Sequence, residues 1–206
     1  YSTDIGIGSG TMNLAYSNGD IMGTGISVAY NYYPQLSGQT ENEKASSATD
    51  TQNRESAESI NVGIPFSGLP IIGDSPIGGA KITLGYSKAE TTLANTQHQE
   101  GGTGAIVLPV GPLKIGYQKK AYQAFGTSAA EAQDGFFKDD IIGIAYAIND
   151  ELAISYNRIQ SDKHLHTAGE VEQETKALNL AYTVGGLTLG FQDAKTTNAG
   201  YTSGTD

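Results

Sequence analysis

A five-residue pattern recurs along this 206-residue chain: a large apolar residue, a small or polar one, another apolar residue, a small residue, then Tyr or Phe. It occurs as MNLAY (12–16), ISVAY (26–30), ITLGY (82–86), LKIGY (113–117), IGIAY (142–146), LAISY (152–156), LNLAY (178–182) and LTLGF (187–191). Successive side chains of a strand point to opposite faces, so the apolar residues and the ring share one face. The other face carries Asn, Lys, Thr, Ser, Gly and Ala. The pattern predicts an all-β chain with one apolar and one thin, polar face.

The small size of the polar side chains distinguishes two classes of all-β protein. A soluble sandwich buries its apolar face and usually exposes bulky charged residues, whereas here the second face is thin and each apolar run ends in a ring. Rings at a constant depth are typical of an interfacial aromatic girdle, so the apolar face is expected to contact lipid. The predicted girdle, pointing outward at one height near the tight-turn rim, consists of Tyr16, Tyr30, Tyr86, Tyr117, Tyr146, Tyr156, Tyr182 and Phe191.

Composition narrows the possible partners and chemistry. No run approaches the roughly 18 apolar residues of a spanning helix, so a membrane crossing would use strands. The chain has no Cys, which excludes disulfide and thiolate–metal frameworks. Its net charge of −10 provides no basic stripe for nucleic acid. We found no phosphate-binding loop and no nucleophile elbow, and we expect no enzymatic activity, no cofactor and no bound metal.

Tight and long connections alternate along the chain. The rhythm predicts an antiparallel up-and-down transmembrane β-barrel with short turns on one side and long polar loops on the other. A Greek-key sandwich does not require this alternation of short and long connections. About ten strands are expected, at Gly10–Ser17, Gly25–Pro34, Glu58–Phe66, Gly79–Thr92, Gly104–Pro109, Leu113–Phe125, Asp140–Ile148, Glu151–Asp162, Gln173–Val184 and Leu187–Asn198.

The segments IGIAYAINDELAISYNRIQSD (142–162) and LNLAYTVGGLTLGFQDAK (178–195) resemble adjacent hairpins of general bacterial outer-membrane porins. The resemblance covers the hairpins from about Gly10 to Asn198 and lies in the repeated pattern. It implies a water-filled channel in the bacterial outer membrane, through which small hydrophilic solutes and ions diffuse passively. It also implies a homotrimer of roughly 16-stranded barrels in contact with membrane lipid and lipopolysaccharide.

The two ends of the sequence depart from the porin pattern. Porins usually end on a strand with a terminal aromatic residue, whereas this chain ends in the polar segment 200–206, GYTSGTD. It also opens in the middle of a pattern. Residues 1–206 are therefore expected to form part of a single barrel, about ten of some 16 strands, placed for example as the sixth to fifteenth.

In a barrel of this kind the residues out of phase with the apolar set would line the channel. The predicted pore-lining residues are Lys81, Lys114, Gln118, Lys120, Asn157, Asn179 and Gln192. The three lysines sit on neighbouring ascending strands, where cations facing acidic loops would set a transverse field. The alternative is that they are simply solvated.

Three other charged residues, Lys88, Lys119 and Arg158, fall in the apolar phase, two residues beyond a ring. A charge in the middle of a bilayer costs about 2–4 kcal/mol. We therefore expect them to lie at the outer interface, to snorkel, to contact lipid phosphates or to lie in a subunit interface; a β-bulge that inverts the phase is the alternative.

Other classes of function remain open at this point. His164 and His166 share a direction on an extended segment and would suit a transition metal with Asp162 or Glu170, although an exposed loop is the simpler interpretation. The acidic segment 41–58 is better explained as a solvated loop than as a cation site. A ten-stranded outer-membrane protease would use Asp162, His164 and Asp193. A soluble adhesin would bury the apolar face between two sheets.

Overall fold

The computed structural model describes residues 13–34, 54–68, 75, 77–91, 97–123, 135–164 and 170–205. Within these residues the chain forms ten strands and three single turns of 3₁₀-helix. The strands are β1 (Leu14–Asn18), β2 (Ser27–Tyr33), β3 (Arg54–Pro65), β4 (Lys81–Thr91), β5 (Gln99–Val110), β6 (Leu113–Gln123), β7 (Phe136–Ala147), β8 (Leu152–His164), β9 (Val171–Val184) and β10 (Leu187–Thr197). No helix among the described residues is long and apolar enough to cross a membrane.

All ten strands belong to one antiparallel sheet in which each strand pairs with its neighbours in sequence. The predicted up-and-down meander is therefore confirmed, and the two packed sheets that a sandwich adhesin requires are not formed by the described strands. A shift in register occurs between Arg54 and Ala57 in the β3–β4 pair, while the other pairs that the structure describes run in continuous register.

Short turns fix this topology locally. In the β7–β8 turn, Oδ1 of Asn149 accepts hydrogen bonds from the backbone N–H groups of Glu151 (2.9 Å) and Leu152 (2.8 Å). In the β9–β10 turn, Gly185 and Gly186 have φ angles of +54° and +84°. These left-handed angles suit a two-residue hairpin and favour glycine. Because such turns are short, the following strand pairs with the preceding one.

Several strands are longer at their long-loop ends than the sequence pattern predicts. β3 begins at Arg54 instead of Glu58, β5 at Gln99 instead of Gly104, and β7 at Phe136 instead of Asp140. The added residues are mostly polar or glycine, because ladder hydrogen bonds involve the backbone and continue beyond the alternating apolar segment. Residues 10–12, 92 and 124–125 of the predicted strands lie outside the described part of the chain.

The relation between hydrophobicity and exposure is inverted. Along β9, Leu178, Leu180 and Tyr182 are exposed, whereas Asn179 and Ala181 between them are half-buried. Rings on other strands behave alike, with Tyr146 44% and Phe191 64% accessible. A soluble protein places its large apolar residues in a core. This sheet instead presents a continuous apolar face outward, far larger than the isolated patches common on soluble monomers.

The opposite, polar face is the crowded one. A Cβ at Gly85 would lie 2.9 Å from Oδ1 of Asn61 and 3.0 Å from Cγ2 of Thr103, and one at Gly143 would lie 2.8 Å from Oδ1 of Asn157. Side chains of adjacent strands thus lean over these glycines. Such crowding is expected on the concave surface of a curved sheet, where neighbouring side chains converge.

Candidate functional site: the polar face and its charges

All seven predicted pore-lining residues lie on the polar face. Directly opposed residues of an antiparallel pair share a face, and the register aligns Lys114 with Ser155, Asn179 and Gln192 in one row across β6 to β10. Lys81 occupies the row two residues further from the tight turns, together with Asn157. The structure therefore brings these residues together on one wall; their role in a channel stays a prediction.

The three lysines of this wall differ in their surroundings. Lys81 and Lys114 are exposed, and among the described residues neither has a carboxylate within ion-pair distance. The ammonium group of Lys120 lies 3.7 Å from Oδ2 of Asp139 and 5.6 Å from the centre of the Tyr122 ring. Six residues of extended strand, about 20 Å, separate Lys120 from Lys114. Of these three lysines, Lys81 and Lys114 thus have no ion pair among the described residues, and both lie near the tight turns.

Hydrogen bonds between neighbouring side chains hold the wall in place. The amide group of Asn179 donates to Oγ of Ser155 (3.3 Å), and that of Gln118 donates to Oγ1 of Thr103 (2.9 Å). These cross-strand contacts fix short polar side chains against the sheet. The described wall therefore presents mainly amide, hydroxyl and ammonium groups, with Val107, Ile141 and Ile159 as apolar side chains on the same face.

The segment after β10 turns back over the polar face. The hydroxyl groups of Tyr201 and Ser161 are 2.7 Å apart, and the Tyr201 ring packs against Phe137, with 5.4 Å between ring centres. Ser161 in turn donates a hydrogen bond to Asp139, the partner of Lys120. This cluster could not be predicted from the sequence, because Tyr201 follows no strand pattern and its contacts lie 40 residues or more away in the chain.

The predicted girdle residues share the apolar face; Tyr16 and Tyr30 are directly opposed, and from β6 to β10 the rings form two tiers. On ascending strands the ring lies four residues from the tight-turn end of the strand, as in Tyr117, Tyr156 and Phe191. On descending strands it lies one or two residues from that end, as in Tyr146 and Tyr182. The tiers are thus separated by two or three residues of strand, about 7–10 Å. Their position relative to a membrane stays a prediction.

Lys88, Lys119 and Arg158 are on the apolar face as well. The pairing around each is regular, so the structure does not contain the β-bulge that would have turned them to the polar face. They belong to a wider set, here called the ionic belt: the first charged residue on the apolar face of each strand from β3 to β10, counted from the tight-turn end. Its members are Glu58, Lys88, Glu100, Lys119, Asp140, Arg158, Lys176 and Asp193.

Contacts within the chain satisfy most of the ionic belt. Lys119 pairs with Asp140 at 3.2 Å. Glu174 contacts both Arg158 and Lys176, the latter at 2.6 Å. Tyrosines of the ascending strands also form hydrogen bonds with the ionic belt. The hydroxyl groups of Tyr30, Tyr86 and Tyr117 donate to Glu58 (3.2 Å), Glu100 (2.9 Å) and Asp140, respectively. On the ascending strands β4, β6, β8 and β10 the signal for this belt was visible in the sequence as a charged residue two positions after a ring.

The residues of the alternative protease and metal sites were also located. Asp162 and His164 lie on the apolar face of β8, where Nδ1 of His164 is 2.6 Å from Oε1 of Glu170 and the imidazole stacks on Phe136. Asp193 is level with Tyr156, six residues along the strand from Asp162, so the three residues do not converge. No group of three His, Asp or Glu side chains in the described residues is arranged to hold a metal. His166 and most of segment 41–58 lie outside that part of the chain.

Continuous register, sequential strand order and an outward apolar face define a sheet of the kind that closes into a membrane β-barrel. No protein-family model and no curated protein sequence matches the chain. Among solved structures it is similar to a porin refined at 1.8 Å resolution, with a TM-score of 0.58, 14% sequence identity and 92% of this chain covered. The fold is thus that of a porin. The match covers 57% of the porin's own length.

Proposed function

We propose that this chain is part of an outer-membrane porin, a water-filled channel through which small hydrophilic solutes and ions diffuse passively. The observation that carries the proposal is the inverted exposure, with large apolar side chains on the open face and amide, hydroxyl and ammonium groups on the crowded one. Each face is in a favourable solvent if the apolar face contacts lipid and the polar face contacts water. Contact with lipopolysaccharide and assembly as a homotrimer belong to the same proposal.

The proposed mechanism is diffusion along a polar wall and involves no catalytic step or cofactor. Solutes would exchange part of their hydration shell for the side chains of Gln118, Asn157, Asn179 and Gln192, none of which is positioned with others to bind tightly. The exposed ammonium groups of Lys81 and Lys114 would raise the local concentration of anions. Weak, repeated contacts of this kind allow a solute to enter and to leave.

The test is reconstitution of the full-length protein in planar bilayers and in vesicles loaded with small sugars. The proposal expects stepwise ion conductance and sugar efflux that falls with solute size. A protein that stays soluble without detergent, or that inserts but conducts nothing, would contradict it. The soluble result would restore the adhesin alternative, whereas insertion with proteolysis of a peptide would favour the enzyme.

A further inference from the structure

From β6 to β10 the ionic belt follows a line that would be level in a tilted barrel, whereas on β3 to β5 its members Glu58, Lys88 and Glu100 are directly opposed. By register, Lys119 on β6 is opposite Asp140 and lies level with Thr197 on β10, but the belt member on β10 is Asp193. The line therefore drifts four residues toward the tight turns over four strands. At about 3.3 Å per residue and 4.8 Å per strand this slope corresponds to a strand tilt of about 35°. Membrane barrels have tilts of about 35–45°.

The rings follow the same slope. Tyr117 is level with Lys195 on β10, and the ring of that strand, Phe191, again lies four residues nearer the tight turns. The ring tier of the ascending strands and the ionic belt are thus parallel. Two residue types thus mark parallel planes two residues of strand apart, which is expected beside a solvent boundary.

The charge-free band below the ionic belt is narrow. From the tight-turn end of each strand to the ionic belt there are six residues on β6, β8 and β10, seven on β3, β4 and β7, eight on β9 and ten on β5. At a tilt of about 35° these lengths correspond to a depth of about 16–22 Å on seven of the eight strands and about 27 Å on β5. The lower limit is set by exposed acidic residues of the β7–β8 turn, Asp150 and Glu151. Outer-membrane barrels usually carry an apolar band of about 25 Å.

From this geometry we infer that the ionic belt is the upper lipid boundary of the protein and that the sheet is matched to an unusually thin hydrocarbon layer. Lipid, and not a second copy of the chain, is the occupant of the face beneath it. The belt crosses every strand from β3 to β10, whereas a subunit interface would occupy only part of a barrel. Its charges are also largely paired within the chain and require no partner. The inference rests on the membrane location proposed above.

The chain offers a matched pair of variants to test this. Lys119 and Asp140 form an ion pair in the ionic belt, and the adjacent residues Lys120 and Asp139 form one at nearly the same height on the polar face. Replacing the first pair by Leu extends the apolar band upward. Replacing the second pair by Leu removes the same charges without changing the band.

Insertion of the full-length protein would be measured in vesicles of saturated phosphatidylcholines with short to long acyl chains. The wild type is expected to insert best in the thinnest bilayers, and Lys119→Leu with Asp140→Leu to raise the inserted fraction in long-chain bilayers by about twofold or more. The Lys120→Leu, Asp139→Leu control should follow the wild-type profile. Equal insertion at every thickness, or equal shifts for both double variants, would overturn the inference.

A second measurement separates lipid from a protein partner. Because the chain has no Cys, single Cys substitutions at Ile154, Tyr156, Arg158 and Gln160 can be labelled with a polarity-sensitive fluorophore. We expect lipid-attached quenchers to act at Ile154 and Tyr156 and aqueous quenchers at Arg158 and Gln160. Lipid quenching at Gln160, or protection of it from both quenchers, would contradict the boundary. Failure of every variant and the wild type to insert in any bilayer would instead remove the proposed function.

Discussion

Reversing the charge of Lys81 and Lys114 would test the polar face as a channel wall. Both ammonium groups lack an ion-pair partner among the described residues, and they lie in adjacent rows on β4 and β6. A unit charge about 6 Å from a permeant ion contributes about 0.7 kcal/mol in water, and about half of this after screening at physiological salt. The double substitution Lys81→Glu, Lys114→Glu changes four charge units. It should therefore stabilise a cation beside the wall by about 1.4 kcal/mol, or about tenfold in local concentration.

The assay is the reversal potential of single channels in a salt gradient. The double variant should shift the permeability ratio toward cations by several-fold, and the shift should shrink as salt rises and screening strengthens. The effect of Lys120→Glu on the permeability ratio should be harder to interpret, because this substitution places a carboxylate beside Asp139. The control is Lys138→Glu, which lies on the apolar face above the ionic belt. Unchanged reversal potentials in the double variant, or an equal shift in the control, would refute the wall assignment.

Three further outcomes are expected. Gly186→Ala, at φ +84°, should destabilise the folded protein by about 1 kcal/mol in a denaturant titration. Gly190→Ala lies in regular strand with open space at the added Cβ and should be nearly neutral. Equal effects would show that the turn geometry does not contribute to stability. Tyr201→Ala should increase single-channel conductance by removing the ring packed over the polar face at Phe137, with Thr202→Ala as the control, and an unchanged conductance would place that ring away from the ion path. Asn149→Ala should lower folding yield in detergent more than Asp150→Ala, because only Asn149 accepts the two backbone hydrogen bonds of its turn; the reverse order would contradict this.

The local features of this protein were determined by its sequence. A period of two assigns each side chain to a face without reference to the rest of the fold, and two-residue turns such as Gly185–Gly186 force neighbouring strands to pair. These two facts predicted ten strands in sequential order and placed Lys81 and Gln192 on the same face. The strand ends beside the long loops escaped prediction, because backbone pairing at Gln99 or Phe136 continues where the side-chain alternation has stopped.

Only the tertiary structure decided how the strands are staggered across the long loops. Loop length does not fix register, since a flexible connection tolerates many offsets at similar entropic cost. The stagger determines which charges meet, and so it made Lys119 and Asp140 partners and aligned the ionic belt with the ring tier. It also brought Tyr201 to Ser161 across the polar face. The sequence therefore set which face each residue occupies, and the register set its height and its neighbours.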